Sequence, residues 1–565
     1  MSTTSPRPWL KHYPQGVNAE INTNDFASLA EMLDHTFKRF ADKPAFSNMG
    51  HVLTFKEIDT LSAHLASYFQ SELGLKKGDR IVIQMPNLLQ YPVTLFGALR
   101  AGLVVINMNP LYTAEEMEHY LKDSGAVAIV VLENFADKLE KAIGSSSIKH
   151  IIITDVGDLF PTVSRVVTNV AVKYFKKLVP EYHLENTILF RDALEKGAEA
   201  NFTAPEIKQS DVAFLQYTGG TTGLSKAAML SHGNLLANQA QMLEWMKPKI
   251  KEGVETVITA LPLYHAFCLT VNCMGLFRYG GHNVLITDPR DMKAFIDILE
   301  KNKPTVMTAV STLLGELLRQ TGFKNLDLST LKVTVAGGMA LKGSVAQEWL
   351  TRTKTPVVEG YGLTEASPVV ACNPLDGTDR IGTIGLPLPS TDMQVVDDNN
   401  VALPIGEQGE LCVKGPQVML GYWNQPEETK AVFDAEGWLH TGDIAVIDTD
   451  GFVKIMDRKK DMILVSGFKV FPNEVEEVAM HNPKVLEAAA IGIPDDRSGE
   501  QVKLFVTRRD PSLTAAELKS YFHEHLTGYK RPRQIVFVDT LPKNNVGKVV
   551  RRQLKELKTT EVSAG

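Results

Sequence analysis

From about residue 28 to 160, apolar positions follow two alternating periods along the chain. Leu61 to Leu73 carries them at helical spacing, whereas Asp79-Arg80-Ile81-Val82-Ile83-Gln84-Met85 holds the continuous apolar run of a buried strand. A second helical stretch precedes the strand Val104-Val105-Ile106-Asn107, and Ala126 to Val131 predicts a third. The alternation resumes at Thr256 to Leu261, Asn283 to Ile286, Thr305 to Val310 and Lys332 to Ala336. Helix alternating with apolar strand predicts a mostly parallel α/β sheet. Two such layers fit the length, although no sequence repeat marks a duplication.

Residues 380–456 change character, with Gly/Pro punctuation between short β-branched runs at Met393 to Val396, Gly409 to Val413 and Ile444 to Ile447. Asp450-Gly451, flanked by Ala445-Val446-Ile447 and Phe452-Val453-Lys454-Ile455, predicts a hairpin, and the whole segment a small β subdomain. The charged cluster Asp457-Arg458-Lys459-Lys460-Asp461 then reads as an interdomain hinge, and residues 462–565 as a compact α+β domain. Asn473 followed by Glu476 predicts a capping box at a helix start. Val163, Val166, Val167, Val170, Tyr174 and Leu178 recur at helical spacing beside Arg165, Lys173, Lys176 and Lys177. Such a basic amphipathic helix suits an anionic bilayer surface, but the commoner arrangement, an apolar face packed on its own domain, is the expectation.

The length of 565 residues allows three to four domain-sized units at ~150 residues each. A net charge of -7 argues against a nucleic-acid binder built on bulk positive charge. The four cysteines, Cys268, Cys273, Cys372 and Cys412, form no Cys-x-x-Cys pair and fit a reduced intracellular protein better than a disulfide scaffold. Met1 to Trp9 lacks the apolar core of a secretory signal. The longest apolar stretch, Leu95 to Met108, is interrupted by Arg100 and falls short of the ~18 residues of a membrane-spanning helix. The expectation is a soluble protein, at most peripheral to a membrane.

Four segments carry chemistry. Tyr217-Thr218-Gly219-Gly220-Thr221-Thr222-Gly223-Leu224-Ser225-Lys226 lies between two apolar runs; glycines let the backbone approach a polyanion, and free N–H groups, hydroxyls and a cation can surround phosphate oxygens. It is not a Walker A loop, and a flexible linker is its bland alternative. In Glu359-Gly360-Tyr361-Gly362-Leu363-Thr364-Glu365, two glycines permit a tight turn with an aromatic ring for stacking, while Thr364 and Glu365 offer oxygens suited to Mg²⁺ on phosphates. Gly437-Trp438-Leu439-His440-Thr441-Gly442-Asp443 places a carboxylate at the end of a turn, where it either receives ribose hydroxyls or closes an Asx turn. Leu541-Pro542-Lys543-Asn544-Asn545-Val546-Gly547-Lys548 carries a lysine after glycine, which alone reads equally as a solvated surface charge. Leu261-Pro262-Leu263-Tyr264-His265-Ala266-Phe267, continued by Leu269, Val271, Met274, Leu276 and Phe277, suits either a wall for an alkyl chain or a core helix.

In order and spacing, these segments resemble the adenylate-forming superfamily of acyl-CoA synthetases, adenylation domains and firefly-type luciferases over nearly the whole sequence. The stretch Gly437 to Val478 is similar to the fatty-acyl-CoA synthetase signature, and Asn87-Leu88-Leu89-Gln90-Tyr91-Pro92 and Asn109-Pro110-Leu111-Tyr112-Thr113 resemble the bacterial long-chain fatty acid–CoA ligases. The resemblance implies an α/β fold: a large N-terminal domain of two sheet layers plus the β subdomain (1–456), a hinge (457–461) and a mobile C-terminal domain with the catalytic lysine (462–565). It implies conversion of a long-chain fatty acid, ATP and CoA into acyl-CoA, AMP and pyrophosphate through acyl-AMP, with Mg²⁺ as cofactor. A medium-chain or aryl acid–CoA ligase, a luciferase-like oxygenase and a non-catalytic carrier are the alternatives.

Carried over residue by residue, the resemblance puts Tyr217 to Lys226 on the ATP phosphates and Gly337, Gly338, Tyr361 and Gly362 around adenine. Glu365 would ligate Mg²⁺ with Thr364 beside the α-phosphate, Asp443 and Arg458 would bind ribose, and Lys548 would bridge carboxylate and α-phosphate. Lys460 takes the hinge position, Ser466, Gly467, Phe468 and Lys469 the CoA contact, and His265 and Phe267 the acyl pocket. The resemblance implies a cytoplasmic enzyme and leaves open peripheral association with the inner membrane face and a homodimer. Ala227 replaces the glycine usual after the loop lysine; were positive φ needed there, alanine would cost about 1 kcal/mol. Lys469 departs from the usual neutral or arginine residue.

Overall fold

A computed structural model describes residues 7–218, 225–543 and 547–557. Two mostly parallel sheets form the large domain. A seven-stranded sheet is built around Arg80–Gln84, Val104–Asn107 and Ala128–Leu132, and ends on the antiparallel pair Val212–Tyr217 and Ala227–Ser231. A nine-stranded sheet has the parallel core His282–Leu285, Thr256–Thr259, Val306–Ala309, Val333–Ala336 and Val357–Gly362, with antiparallel strands at both edges. The predicted strands hold to within two residues at either end. Their continuous apolar runs follow from burial on both faces, the usual condition of parallel strands.

Between the sheets, helix Gln90–Arg100 is buried along its length and explains the apolar stretch around it. Arg100 ends it with its guanidinium 4.8 Å over the Phe37 ring, paired with Asp34 and Asp59. No helix among the described residues is long and apolar enough to cross a membrane. All four cysteines are buried and free.

The β subdomain is an antiparallel sheet of Asp392–Val396, Gln408–Lys414, Leu439–Ile447 and Val453–Arg458, the last two joined at Asp450-Gly451 as expected. The last strand runs through Asp457 and Arg458, which pair with Ile444 and Asp443. Only the single 3₁₀ turn Lys459–Asp461 and Met462 separate it from the C-terminal sheet, whose first strand is Ile463–Val465.

Four expectations are corrected. The helix read from Leu61 begins at Phe55, where Thr54 and Glu57 form a capping box, and its regular part ends at Ser67. The helix Pro472–His481 is capped by Phe471 without a side-chain bond. The Asn473 amide donates instead to Asp457 Oδ2 at 2.7 Å, and Glu476 receives Arg551 at 2.7 Å. Ala227 lies in a strand opposite Tyr217 without positive φ, so it carries no such cost. The helix Thr162–Val170 and the wider turn Ala171–Phe175 bury none of their residues, leaving Val163, Val167, Tyr174 and Phe175 more than 60% exposed.

Candidate functional site

A cavity of about 940 Å³ opens where the second sheet, the β subdomain and the C-terminal domain meet. It is lined by Thr218, Lys226, His265, Phe267, Gly337, Gly338, Tyr361, Gly362, Thr364, Glu365, Asp443, Arg458, Lys460 and Lys548. Nearly every predicted nucleotide-site residue outside the loop is therefore brought to one place. Gly219, Gly220, Thr221, Thr222, Gly223 and Leu224 lie outside the described residues. Tyr217 is not in the cavity wall; its hydroxyl donates to Asp123 Oδ2 at 2.6 Å. Ser225 also stays outside the wall, its carbonyl 3.4 Å from His119 Nε2.

The loop is closed at its base by the Thr218 amide donating to the Lys226 carbonyl at 2.8 Å. Lys226 pairs with Glu428 and lies 5.1 Å from the Tyr422 ring centroid. Tyr361 sits in a strand, not the expected tight turn: Val357–Gly362 continues antiparallel to Val369–Cys372. Glycine at 362 is required by close approach, since a Cβ there would lie 2.2 Å from the Pro368 carbonyl oxygen. Asp443 is likewise within a strand rather than ending a turn. Its carboxylate receives the Tyr361 hydroxyl on Oδ2 and pairs through Oδ1 with Arg458 Nε at 2.8 Å. Each oxygen retains a second acceptor position. Burial, followed by the Asp443 charge, raises the Tyr361 phenol well above its ordinary value, so it stays a donor.

Glu365 accepts the Tyr422 hydroxyl on Oε1 at 2.7 Å, and its backbone carbonyl accepts the Met419 amide at 2.8 Å. Among the described residues no three His, Cys, Asp or Glu side chains cluster as a metal cage. One carboxylate beside a threonine hydroxyl fits Mg²⁺ held largely by phosphates and water, which is how that ion usually binds nucleotides.

Lys548 enters the cavity from a short two-stranded bridge between Lys543 and Val549. Gly547 has φ +82, and a Cβ there would meet Thr312 Oγ1 at 2.9 Å, so only glycine lets this segment pack on the large domain. Burial, reinforced by Arg458, lowers the Lys548 ammonium to about 8. His265 caps the next helical turn, its Nδ1 3.5 Å from the Phe267 amide, and burial lowers its pKa, favouring neutral imidazole.

The other end of the cavity is apolar, walled by Met242, Trp245, Met246, Val271, Leu375 and Leu388. Of the expected apolar wall after Phe267, only Val271 reaches it; Leu269, Met274, Leu276 and Phe277 are core. Sequence reasoning missed the helix His232–Met246, whose i, i+3, i+4 apolar spacing looks the same in a core or a cavity wall. It also missed Tyr422 and Glu428, flagged only by the aromatic pair after Gly421. Ser466, Gly467, Phe468 and Lys469 form an exposed hairpin outside the cavity, with Lys469 3.6 Å from Asp398 and Phe468 stacked on Tyr529.

Residues 33–423 match the family model described as AMP-binding enzyme, and residues 474–548 that of its C-terminal domain. A long-chain-fatty-acid–CoA ligase of Salmonella typhimurium is 52% identical over 548 residues, covering 97% of this chain and 98% of its own. An anthranilate–CoA ligase in complex with anthranoyl-AMP superposes with TM-score 0.83 at 24% identity, over 95% of this chain and 98% of its own. An o-succinylbenzoate–CoA synthetase of Bacillus subtilis, in complex with ATP and a magnesium ion, gives 0.76 at 25% identity over 93% and 99%.

Proposed function

The chain belongs to the AMP-binding enzyme family, and from that premise we propose that it activates long-chain fatty acids with ATP and transfers them to CoA. The carboxylate attacks the α-phosphorus of ATP and expels pyrophosphate; the CoA thiol then attacks the acyl carbonyl and expels AMP. The single observation that carries this reading is one cavity with a cationic, carboxylate-bearing end and an apolar end. It suits a ligand that is phosphate at one extremity and alkyl at the other. With ATP and palmitate but no CoA, acyl-AMP should accumulate and be trapped by hydroxylamine. Absence of the trapped product would remove the first half-reaction.

The chemistry requires two anions to meet, so positioning and charge neutralisation dominate. Lys226 neutralises and Thr218 orients the terminal phosphates. Gly337, Gly338, Tyr361 and Gly362 line the adenine site, with Asp443 and Arg458 on the ribose. Thr364 and Glu365 would hold Mg²⁺, which when bound would supply neutralising charge to the phosphate oxygens. Lys548 donates to both the attacking carboxylate and the α-phosphate, and His265 orients that carboxylate.

For the second step the domain 462–565 turns on Lys460, at the centre of Lys459–Asp461, while residues 1–456 stay fixed. The turn withdraws Lys548 and brings Ser466 to Lys469 toward the thiol of CoA. Asp457 and Asn473 latch the first position through their 2.7 Å bond.

The depressed Lys548 pKa gives a pH dependence. The ammonium is the working form, so kcat/KM for acyl-AMP formation should fall as pH rises through about 8. Lys548→Arg, charged throughout, should lose that alkaline fall; an unchanged limb would assign it to another group.

The exposed face of residues 162–178 contacts an anionic bilayer, from which the acid substrate is drawn. Lys173 is held by Glu133 at 2.7 Å, leaving Lys176 and Lys177 as the cleaner charges to reverse. Val167→Ser with Phe175→Ser should lower binding to phosphatidylglycerol vesicles about tenfold or more, given ~25 cal/mol per Å² of apolar area. Unchanged cosedimentation would refute the contact.

A further inference from the structure

The apolar end of the cavity is closed by a residue that is itself held from behind by the N-terminal segment. Trp245, near the C-terminal end of the helix His232–Met246, is 1% exposed and lines the cavity. Its indole N–H donates to the Asn373 carbonyl at 3.1 Å, fixing the plane of the ring. Tyr13, which is not itself a lining residue, meets it edge-on with ring centroids 5.0 Å apart. Tyr13 is only partly buried, so one aromatic layer separates Trp245 from solvent.

That layer is fastened at several points. The Tyr13 hydroxyl donates to the Pro387 carbonyl at 2.6 Å, immediately before Leu388 of the cavity wall. The Asn18 amide donates to Glu244 Oε1 at 2.9 Å, next to Trp245 itself. Arg7 binds Asp392 at 2.5 Å and Glu20 at 2.6 Å, and the Ser390 amide donates to the Ala19 carbonyl at 2.9 Å. Segment 7–21 is thus strapped across the blind end of the cavity.

We propose that Trp245 is the stop that sets the longest acyl chain the cavity admits, with Tyr13 as the positioning residue that keeps the indole in place. This rests on the acid-ligase reading above. A rigid indole with its one polar atom satisfied resists displacement by a chain methyl, whereas the neighbouring Met242 and Met246 are flexible and adapt to chains that end short of it. An alkyl chain longer than the distance to the indole must either leave methylenes outside or distort the wall, and either lowers kcat/KM.

The test is kcat/KM for laurate, palmitate, arachidate and behenate, in wild type, Trp245→Ala and Tyr13→Ala, with KM for ATP and Tm measured alongside. Trp245→Ala should raise the behenate-to-palmitate ratio about tenfold or more and raise KM for laurate, at unchanged KM for ATP. Tyr13→Ala should shift the ratio the same way by a smaller factor. If Trp245→Ala does not fold, Trp245→Leu carries the same comparison. Unchanged ratios in the folded variants, or a uniform loss on all acids, would overturn the proposal while leaving the ligase reading intact. Wild type that turns over none of these acids would instead overturn the ligase reading.

Discussion

Lys548→Ala will lower acyl-AMP formation about 10²–10³-fold while leaving thioester formation from preformed acyl-AMP and CoA within about twofold of wild type. The cation lines the cavity in company with Asp443 and Arg458, on a segment seated against Thr312. In the proposed mechanism its charge is needed only while a carboxylate and a phosphate approach one another. That factor corresponds to about 3–4 kcal/mol of transition-state stabilisation, the range for deleting one preorganised donor from a desolvated site. Assaying the half-reactions separately is decisive. Equal loss in both would mean that Lys548 holds the domains together rather than the reacting groups.

Asp443→Ala will raise KM for ATP about 10–100-fold, because a hydrogen bond to a charged group contributes about 1.5–3 kcal/mol. Asp443 is 5% exposed and already holds Tyr361 and Arg458, so its removal orphans both partners and takes away the proposed ribose contact. A lower Tm should accompany the KM effect, since a buried unsatisfied group costs about 1–3 kcal/mol. Asp443→Asn, which retains acceptor geometry at one oxygen, should fall between. An unchanged KM for ATP in a folded Asp443→Ala enzyme would exclude a ribose contact.

The sheet layers were legible because a strand buried on both faces leaves an unbroken apolar run: Val104–Asn107 coincides with its prediction to the residue. Less legible were features decided by distant partners. Asp443 follows Gly442, with φ +71, and reads as a turn until Arg458 on the neighbouring strand is seen opposite it. Asn473 has the right spacing for a cap, but the buried Asp457 claims its amide. Tyr361, Glu365, Asp443 and Lys548 could be named beforehand as residues of one cavity because their motifs, in order and spacing, resemble those of a known family. Met242, Trp245 and Met246 could not, since an alkyl chain demands only apolarity and every core stripe offers that. The face at Val163 to Leu178 is expected from its spacing to be covered, and only the exposure of Val163, Val167, Tyr174 and Leu178 reveals it as open.

Pyrophosphate release with Mg²⁺-ATP and CoA, across straight-chain acids from short to very long, distinguishes an alkyl-chain ligase from every alternative. A long-chain ligase gives stoichiometric AMP and acyl-CoA with a maximum among long chains. Turnover confined to short or aromatic acids would contradict the assignment of the apolar end to an alkyl chain, and no release with any acid would contradict the ligase itself.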